Sequence, residues 1–266
     1  MCERTDSLNG GKLRQRALAW IAAVQSSVPG VATDWTHGTV LRAEDYPTFW
    51  DFNVVRVEED PQLSVAELIA FAEEALAGLE HRRVDFLGPD ATWARAEFEA
   101  AGWLPLRLLW MHHAGSTPAL GDVSAVEELP YDAVRDLRIA WHAEDFPEQD
   151  RERYEQHLLS AREVAGMHGA RVLAAHRQEH PVGFAQLESV AGAVEISQVF
   201  VLPEHRGAGL GTALASAAIA AAPDAEDLWI CADDDARAKH LYERLGFRPV
   251  CVTTQFLRLP AGTPIG

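Results

Sequence analysis

Cysteine is scarce in this chain of 266 residues: only Cys2, Cys231 and Cys251 occur, an odd number without metal-ligand spacing. A disulfide framework and a cysteine-rich metal site are thereby excluded, and a reducing compartment is expected. Basic residues are also few, 23 Lys and Arg against 40 Asp and Glu, for a formal net charge of -17 and a pI near 5.0. Nucleic acid and anionic membrane surfaces both require basic patches, so neither is expected as a partner. The longest alanine-rich stretch, 213–222, is too short to cross a bilayer, and the polar N-terminus has no signal-peptide core. The expectation is a cytoplasmic protein without a metal.

What is present is a glycine-rich turn in an informative place. Residues 199–212 join a β-branched and aromatic run, Val199-Phe200-Val201, to Leu202-Pro203-Glu204-His205 and then to Arg206-Gly207-Ala208-Gly209-Leu210-Gly211-Thr212. Beyond the turn, Leu210, Ala213, Leu214, Ala217, Ala218 and Ala221 recur at helical spacing. A strand, a glycine loop and a helix N-terminus in that order form an anion-binding device. Glycine lets the backbone approach closely, and the first helical N–H groups and the positive dipole end point at the loop. The Walker loop is excluded because no Gly-Lys-Ser/Thr follows, and the dinucleotide fingerprint because no glycine stands at 212 or 214.

The pattern Arg-x-x-Gly-x-Gly, read as Arg206 to Gly211, resembles the acyl-CoA-binding motif of the GNAT superfamily of N-acyltransferases. Downstream, Asp235-Ala236-Arg237-Ala238-Lys239-His240-Leu241-Tyr242-Glu243-Arg244-Leu245-Gly246-Phe247 resembles that family's last helix and the turn into the next strand. The resemblance implies acetyl-CoA as co-substrate, with its diphosphate on 206–212 and its pantetheine arm and acyl carbonyl on the backbone of Val199, Phe200 and Val201. It also implies Tyr242 as the acid for the departing thiolate; an aromatic in the stripe Ala238, Leu241, Tyr242, Leu245 equally serves as packing. Ala238 falls within the same motif. Asp235 replaces the family's usual asparagine, and a carboxylate can cap a helix but cannot donate a hydrogen bond. Glu195, on the strand leading to the loop, is the candidate base, directly or through water. Ser197 is the alternative, and a solvated strand glutamate the plain reading.

Earlier in the chain, helix pattern covers Lys12 to Gln25, strand composition Thr39–Ala43 and Phe52–Val57, and Ser64-Val65-Ala66-Glu67 is a capping box opening a helix. Val84–Leu87 reads as a strand, Ala94–Ala101 as a helix and Leu104–His112 as a strand. A small-residue linker, 114–118, follows. Glu97 to Trp103 matches Leu241 to Phe247, each segment being followed by an apolar strand, which suggests a tandem duplication. In that register Phe98 stands for Tyr242, and Asp60-Pro61-Gln62-Leu63-Ser64 for the glycine loop.

The arrangement resembles tandem GNAT proteins, mycothiol synthase among them, with a degenerate first repeat; an unrelated α+β cap is the alternative. The expected fold is α/β (α+β): two tandem domains, each a mixed twisted β-sheet flanked by helices. Residues 1–115 lack the coenzyme loop and 120–260 carry it.

Residues 141–151, with Glu144, Asp145, Glu148 and Asp150, fall where the family has its variable acceptor wall. Clustered carboxylates suit a cationic amine, or only solvent. His112 and His113 read as surface. The function so implied is acetyl transfer from acetyl-CoA to a primary amine, with a small molecule favoured because the first half could restrict access. A non-catalytic acyl-CoA-binding sensor or scaffold is the alternative.

Overall fold

The computed structural model describes residues 2–113, 115, 121–145, 151–234 and 237–260. In chain order the elements begin with α1 (Cys2–Gln25), β1 (Val31–Trp35), β2 (Gly38–Arg42), β3 (Val54–Val57), α2 (Val65–Ala75), β4 (Arg82–Phe86), α3 (Arg95–Ala100) and β5 (Leu104–His113). They continue with β6 (Val126–Leu129), α4 (Arg135–Asp145), α5 (Arg151–Met167), β7 (Arg171–Arg177), β8 (His180–Val190), β9 (Ala193–Val201), α6 (Leu210–Ala220), β10 (Leu228–Asp233), α7 (Ala238–Arg244) and β11 (Phe247–Arg258). The chain is mixed α/β, with twisted mixed sheet flanked by helices, as expected.

It divides into two compact units, which are not contiguous in sequence. The first comprises residues 1–110, 233–235 and 250–265, and the second 111–232 and 236–249 with Gly266. The second part of β11 therefore belongs with the first unit, whereas a simple division at the linker places it in 120–260.

In the first unit β1, β2 and β3 run antiparallel, β3 and β4 run parallel across α2, and residues 254–258 of β11 pair antiparallel with β4. Alternation along β3 and β4 sends Val55, Val57, Val84 and Phe86 to one face. There they pack with Leu68, Ala72 and Leu76 under α2, and with Phe98, Trp103 and Phe256. Phe98 stacks on Phe256 at 4.0 Å between ring centroids and meets Trp103 edge-on at 5.2 Å. The opposite face is charged. Arg83 holds Asp85 through two bonds of 2.8 Å and Asp51 through one of 2.7 Å, while Gln25 of α1 donates to Asp85 at 2.7 Å. Burial opposes the Arg83 charge, but Asp51 and Asp85 outweigh it and raise the guanidinium's pKa.

In the second unit β6, β7, β8 and β9 form an antiparallel run, and β10 joins β9 in parallel. The hairpin turns need left-handed backbone, supplied at Gln178 and Glu179 before β8 and at Ala191 and Gly192 before β9. The buried side of α6, Leu210, Ala213, Leu214, Ala215 and Ala218, packs on this sheet. The parallel pair in each unit has the same order around it: strand, helix, parallel strand, short helix, long strand. The short helices α3 and α7 both end in a left-handed glycine, Gly102 (φ 80°) and Gly246 (φ 96°), so the segments matched in sequence occupy matching places.

Candidate active site

Pro203 to His205 form one turn of 3-10 helix after β9, and the chain then enters the glycine loop. Gly207 and Gly209 are left-handed, at φ 77° and 82°, and a Cβ added to either would meet nothing within 4 Å. The loop therefore needs glycine for its backbone path and leaves open space in front of it. The first backbone bond of α6 runs from Ala213 N–H to Gly209 C=O at 3.0 Å. The N–H groups of Leu210, Gly211 and Thr212 lie ahead of it, where a helix has donors to spare and its dipole is positive. Ala208 supplies backbone only. This is a cradle that a diphosphate fits.

Arg206 contributes differently from a simple phosphate ligand. Its N–H donates to Pro203 C=O, its Nε donates to Val201 C=O at 2.9 Å, and its Nη2 reaches Glu144 Oε2 at 2.5 Å. The side chain ties the start of the loop to the end of β9 and to α4. Glu144 is thus committed to Arg206. Beside it, His142 stacks on Tyr154 at 3.5 Å, and Phe146 to Asp150 lie outside the described residues.

The strand before the loop is forked. β9 and β10 pair over three residues only, Val194 to Ile196 with Leu228 to Ile230, although both continue. On the other edge of β9 the register with β8 shifts: Gln186 faces Gln198, but Leu187 faces Ile196, so Ser197 is an extra residue in a β-bulge. A bulge bends and twists its strand, and the divergence from β10 begins at this point. Val199, Phe200 and Val201 pair with β8 along one edge, and their other edge lies in the fork. An extended amide-bearing arm can add to such an edge as a further strand would.

Tyr242, on α7, is 7% exposed and packs edge-on to Phe247 at 6.2 Å. Burial, reinforced by the nearby Cys231, pushes its hydroxyl up to about 12, so it carries its proton at every physiological pH. Cys231, whose charge acts on the hydroxyl, directly follows Ile230, the last residue of β10 paired with β9. Glu195 lies at the closed end, nearly buried, opposite Glu188 on β8 and Trp229 on β10. It stands roughly 13 Å along the strand from Val199, at about 3.3 Å per residue, so a base here acts through water. Ala238 opens α7 behind the loop, where Leu241 lies 3.8 Å from a Cβ placed on Gly211. Asp235 lies outside the described residues.

Two features escaped the sequence reading. The buried Arg138 and Gln186 form a polar group with the half-buried Gln198 on the α4 side of the sheet, without any local sequence motif. His112 and His113 are partly buried rather than surface residues: His112 packs on Trp229 at 4.8 Å with its Nε2 2.9 Å from Asp227, and His113 meets Phe247 at 5.1 Å. Burial lowers the pKa of His113.

The first unit lacks each part of this arrangement. β3 and β4 pair to their ends, Val55 to Val57 with Val84 to Phe86. The N-terminus of α2 is filled by its own capping box: Ser64 Oγ accepts from Glu67 N–H, and the Glu67 carboxylate accepts from Ser64 N–H at 2.8 Å. Those Ser64 bonds hold the Glu67 carboxyl below the usual range, so a fixed anion stands where α6 has open donors. Among the described residues no group of His, Cys, Asp and Glu could hold a metal ion, and no helix is long and apolar enough to cross a membrane.

Residues 131–247 match the family model described as "Acetyltransferase (GNAT) family". No curated protein matches the chain. Among solved structures it is similar to a conserved protein of unknown function from Staphylococcus epidermidis ATCC 12228, with a TM-score of 0.67 and 15% identity over 88% of this chain and 95% of that one. It is also similar to a GCN5-related N-acetyltransferase from Kribbella flavida, with a TM-score of 0.56 and 18% identity over 95% and 96% of the two chains. At such identities the likeness is one of fold; the family match supports acyl transfer as the chemistry of the segment it covers.

Proposed function

We propose that the protein is an acetyl-CoA-dependent N-acetyltransferase acting on a primary amine of a small molecule, with its site in the second unit and a first half that is a degenerate copy. The observation that carries this reading is the open glycine cradle at the head of α6 set directly after a forked strand. Together they offer a diphosphate site and, just before it in the chain, a strand edge that β10 leaves unpaired. The co-substrate supplies an activated acyl thioester. Gly207 to Thr212 bind its diphosphate through backbone N–H groups, and the backbone of Val199 to Val201 orients the arm and polarises the carbonyl. Glu195 removes a proton from the acceptor ammonium through water, and Tyr242 hydrogen-bonds the departing sulfur. The acidic balance of the chain favours an amine over nucleic acid or a membrane surface as its partner, in a cytoplasmic setting.

The reading is tested by following thiol release from acetyl-CoA with a panel of small amines, polyamines and amino acids. Amine-dependent release supports an enzyme. Acetyl-CoA binding without release under any acceptor supports the sensor or scaffold reading instead.

A further inference from the structure

Arg138 is the one cation of α4 that is drawn into the sheet. It is 3% exposed, with its guanidinium 3.9 Å from the centre of the Tyr131 ring and 4.8 Å from that of Phe184. Its Nη1 donates to Gln198 Oε1 at 2.7 Å and its Nη2 to Gln186 Oε1 at 2.5 Å, while Nε has no partner among the described residues. Gln186 and Gln198 are cross-strand neighbours on β8 and β9, and Ser197, the bulged residue, adjoins Gln198. The guanidinium therefore bridges the two strands at the bulge where β9 leaves β10. A planar two-pronged donor can do this, and a lysine ammonium cannot in the same geometry.

The bridge is braced on both sides. Gln186 Nε2 donates to Glu188 Oε1 at 2.5 Å, and the other oxygen of Glu188 lies 3.1 Å from His168 Nδ1, which fixes the orientation of the Gln186 amide between a cation and a carboxylate. From α5, the Tyr154 hydroxyl donates to the Arg138 carbonyl at 3.1 Å. A buried guanidinium without a directly bonded carboxylate is costly, and packing alone would be met by a leucine or methionine. The position of the bridge supplies a reason for keeping it. Gln198 immediately precedes Val199, the first residue of the edge that receives the acyl arm.

We infer that Arg138 is a positioning residue for acyl transfer: by joining Gln186 to Gln198 across the bulge it holds the outer half of β9 in the forked geometry and sets the backbone that orients the thioester. This rests on the acyltransferase reading above, and its test has one arm independent of that reading.

Amide hydrogen exchange is compared in the full chain for the wild type, Arg138→Met, Arg138→Lys and Gln198→Leu, with Arg135→Met, an exposed guanidinium on the same helix, as control. Arg138→Met and Gln198→Leu should each speed exchange at residues 197–201 by about tenfold or more, leaving α6 and β7 unchanged, with partial rescue by Arg138→Lys. Unchanged exchange at 197–201, or an equal rise across the whole second unit, would overturn the inference. Gln198→Leu decides the matter if Arg138→Met does not fold. In the second arm, calorimetric titration of acetyl-CoA and CoA should show that Arg138→Met keeps CoA affinity while losing any preference for the acetylated form. A preference that survives in Arg138→Met also overturns the inference. Wild type that binds neither refutes the acyltransferase reading, and the exchange data then judge the bridge on its own.

Discussion

Replacing Tyr242 by Phe deletes one oxygen from a side chain that is 7% exposed and keeps its packing on Phe247. The magnitude follows from the hydroxyl's acidity. At about 12 it lies roughly 3.5 pK units above an ordinary thiol near 8.5, so full proton transfer to a thiolate of ordinary basicity would be uphill by about 5 kcal/mol. Under the proposed mechanism Tyr242 therefore acts chiefly as a hydrogen-bond donor to developing negative charge on sulfur, worth about 1.5–3 kcal/mol, or roughly 10- to 200-fold in rate. The assay is thiol release at saturating acetyl-CoA and acceptor, with calorimetry for co-substrate binding. Tyr242→Phe should lower kcat by that factor and leave acetyl-CoA affinity within about twofold of wild type. The wild-type rate should show no loss attributable to Tyr242 ionisation up to pH 10. The same burial has a stability consequence of defined sign. Below about pH 10 the group is neutral in folded and unfolded chains alike. From about 10 to 12 only the unfolded chain ionises, so stability falls by up to about 3 kcal/mol, and Tyr242→Phe should abolish that loss. A variant as fast as wild type, or one that loses acetyl-CoA binding, would refute this reasoning.

Glu195→Gln, nearly isosteric, should slow transfer by about 10- to 100-fold without weakening acetyl-CoA binding; equal rates would assign proton removal to Ser197 or water alone. His81 is 1% exposed and its pKa is pulled down to about 4, by burial first, with its bond to the Asn53 carbonyl in partial opposition. Between about pH 6.5 and 4 the unfolded chain takes up the proton and the folded one does not. The first unit should thus lose about 3 kcal/mol of stability across that window. Urea midpoints compared with those of His81→Gln check this, and a wild-type slope no steeper than the variant's would contradict it.

Local signals in the sequence were accurate wherever chemistry and period coincide. Ser64 and Glu67 form the reciprocal capping box their spacing predicts, and α6 begins at Leu210, where the apolar period starts. β5 matches the expected strand Leu104–His112 to within one residue. α1 begins ten residues before the apolar stripe that starts near Lys12. β1 went unassigned because four of its five residues are exposed and no alternation marks it.

At the site, the cradle was legible because it depends on glycine and on the helix that follows. The fork was not, since it is a matter of which backbone edges pair, and Ser197 carries no mark of being an extra residue. Arg138 was hidden for a related reason. On α4 it looks like any surface arginine, and only the bulge opposite turns it into a buried bridge. The pairing of β11 with β4 is likewise a long-range choice that local pattern cannot express.

The central claim is that the glycine loop binds the diphosphate of an acyl-CoA. Gly209 is left-handed with open space before it, so Gly209→Asp meets no steric clash and sets a carboxylate in the cradle at a backbone cost of about 1 kcal/mol. Calorimetric titration of acetyl-CoA should give micromolar binding to wild type and at least about a hundredfold weaker binding to Gly209→Asp, both proteins being folded by circular dichroism. Equal affinity in the two, or no binding to folded wild type, would contradict the account.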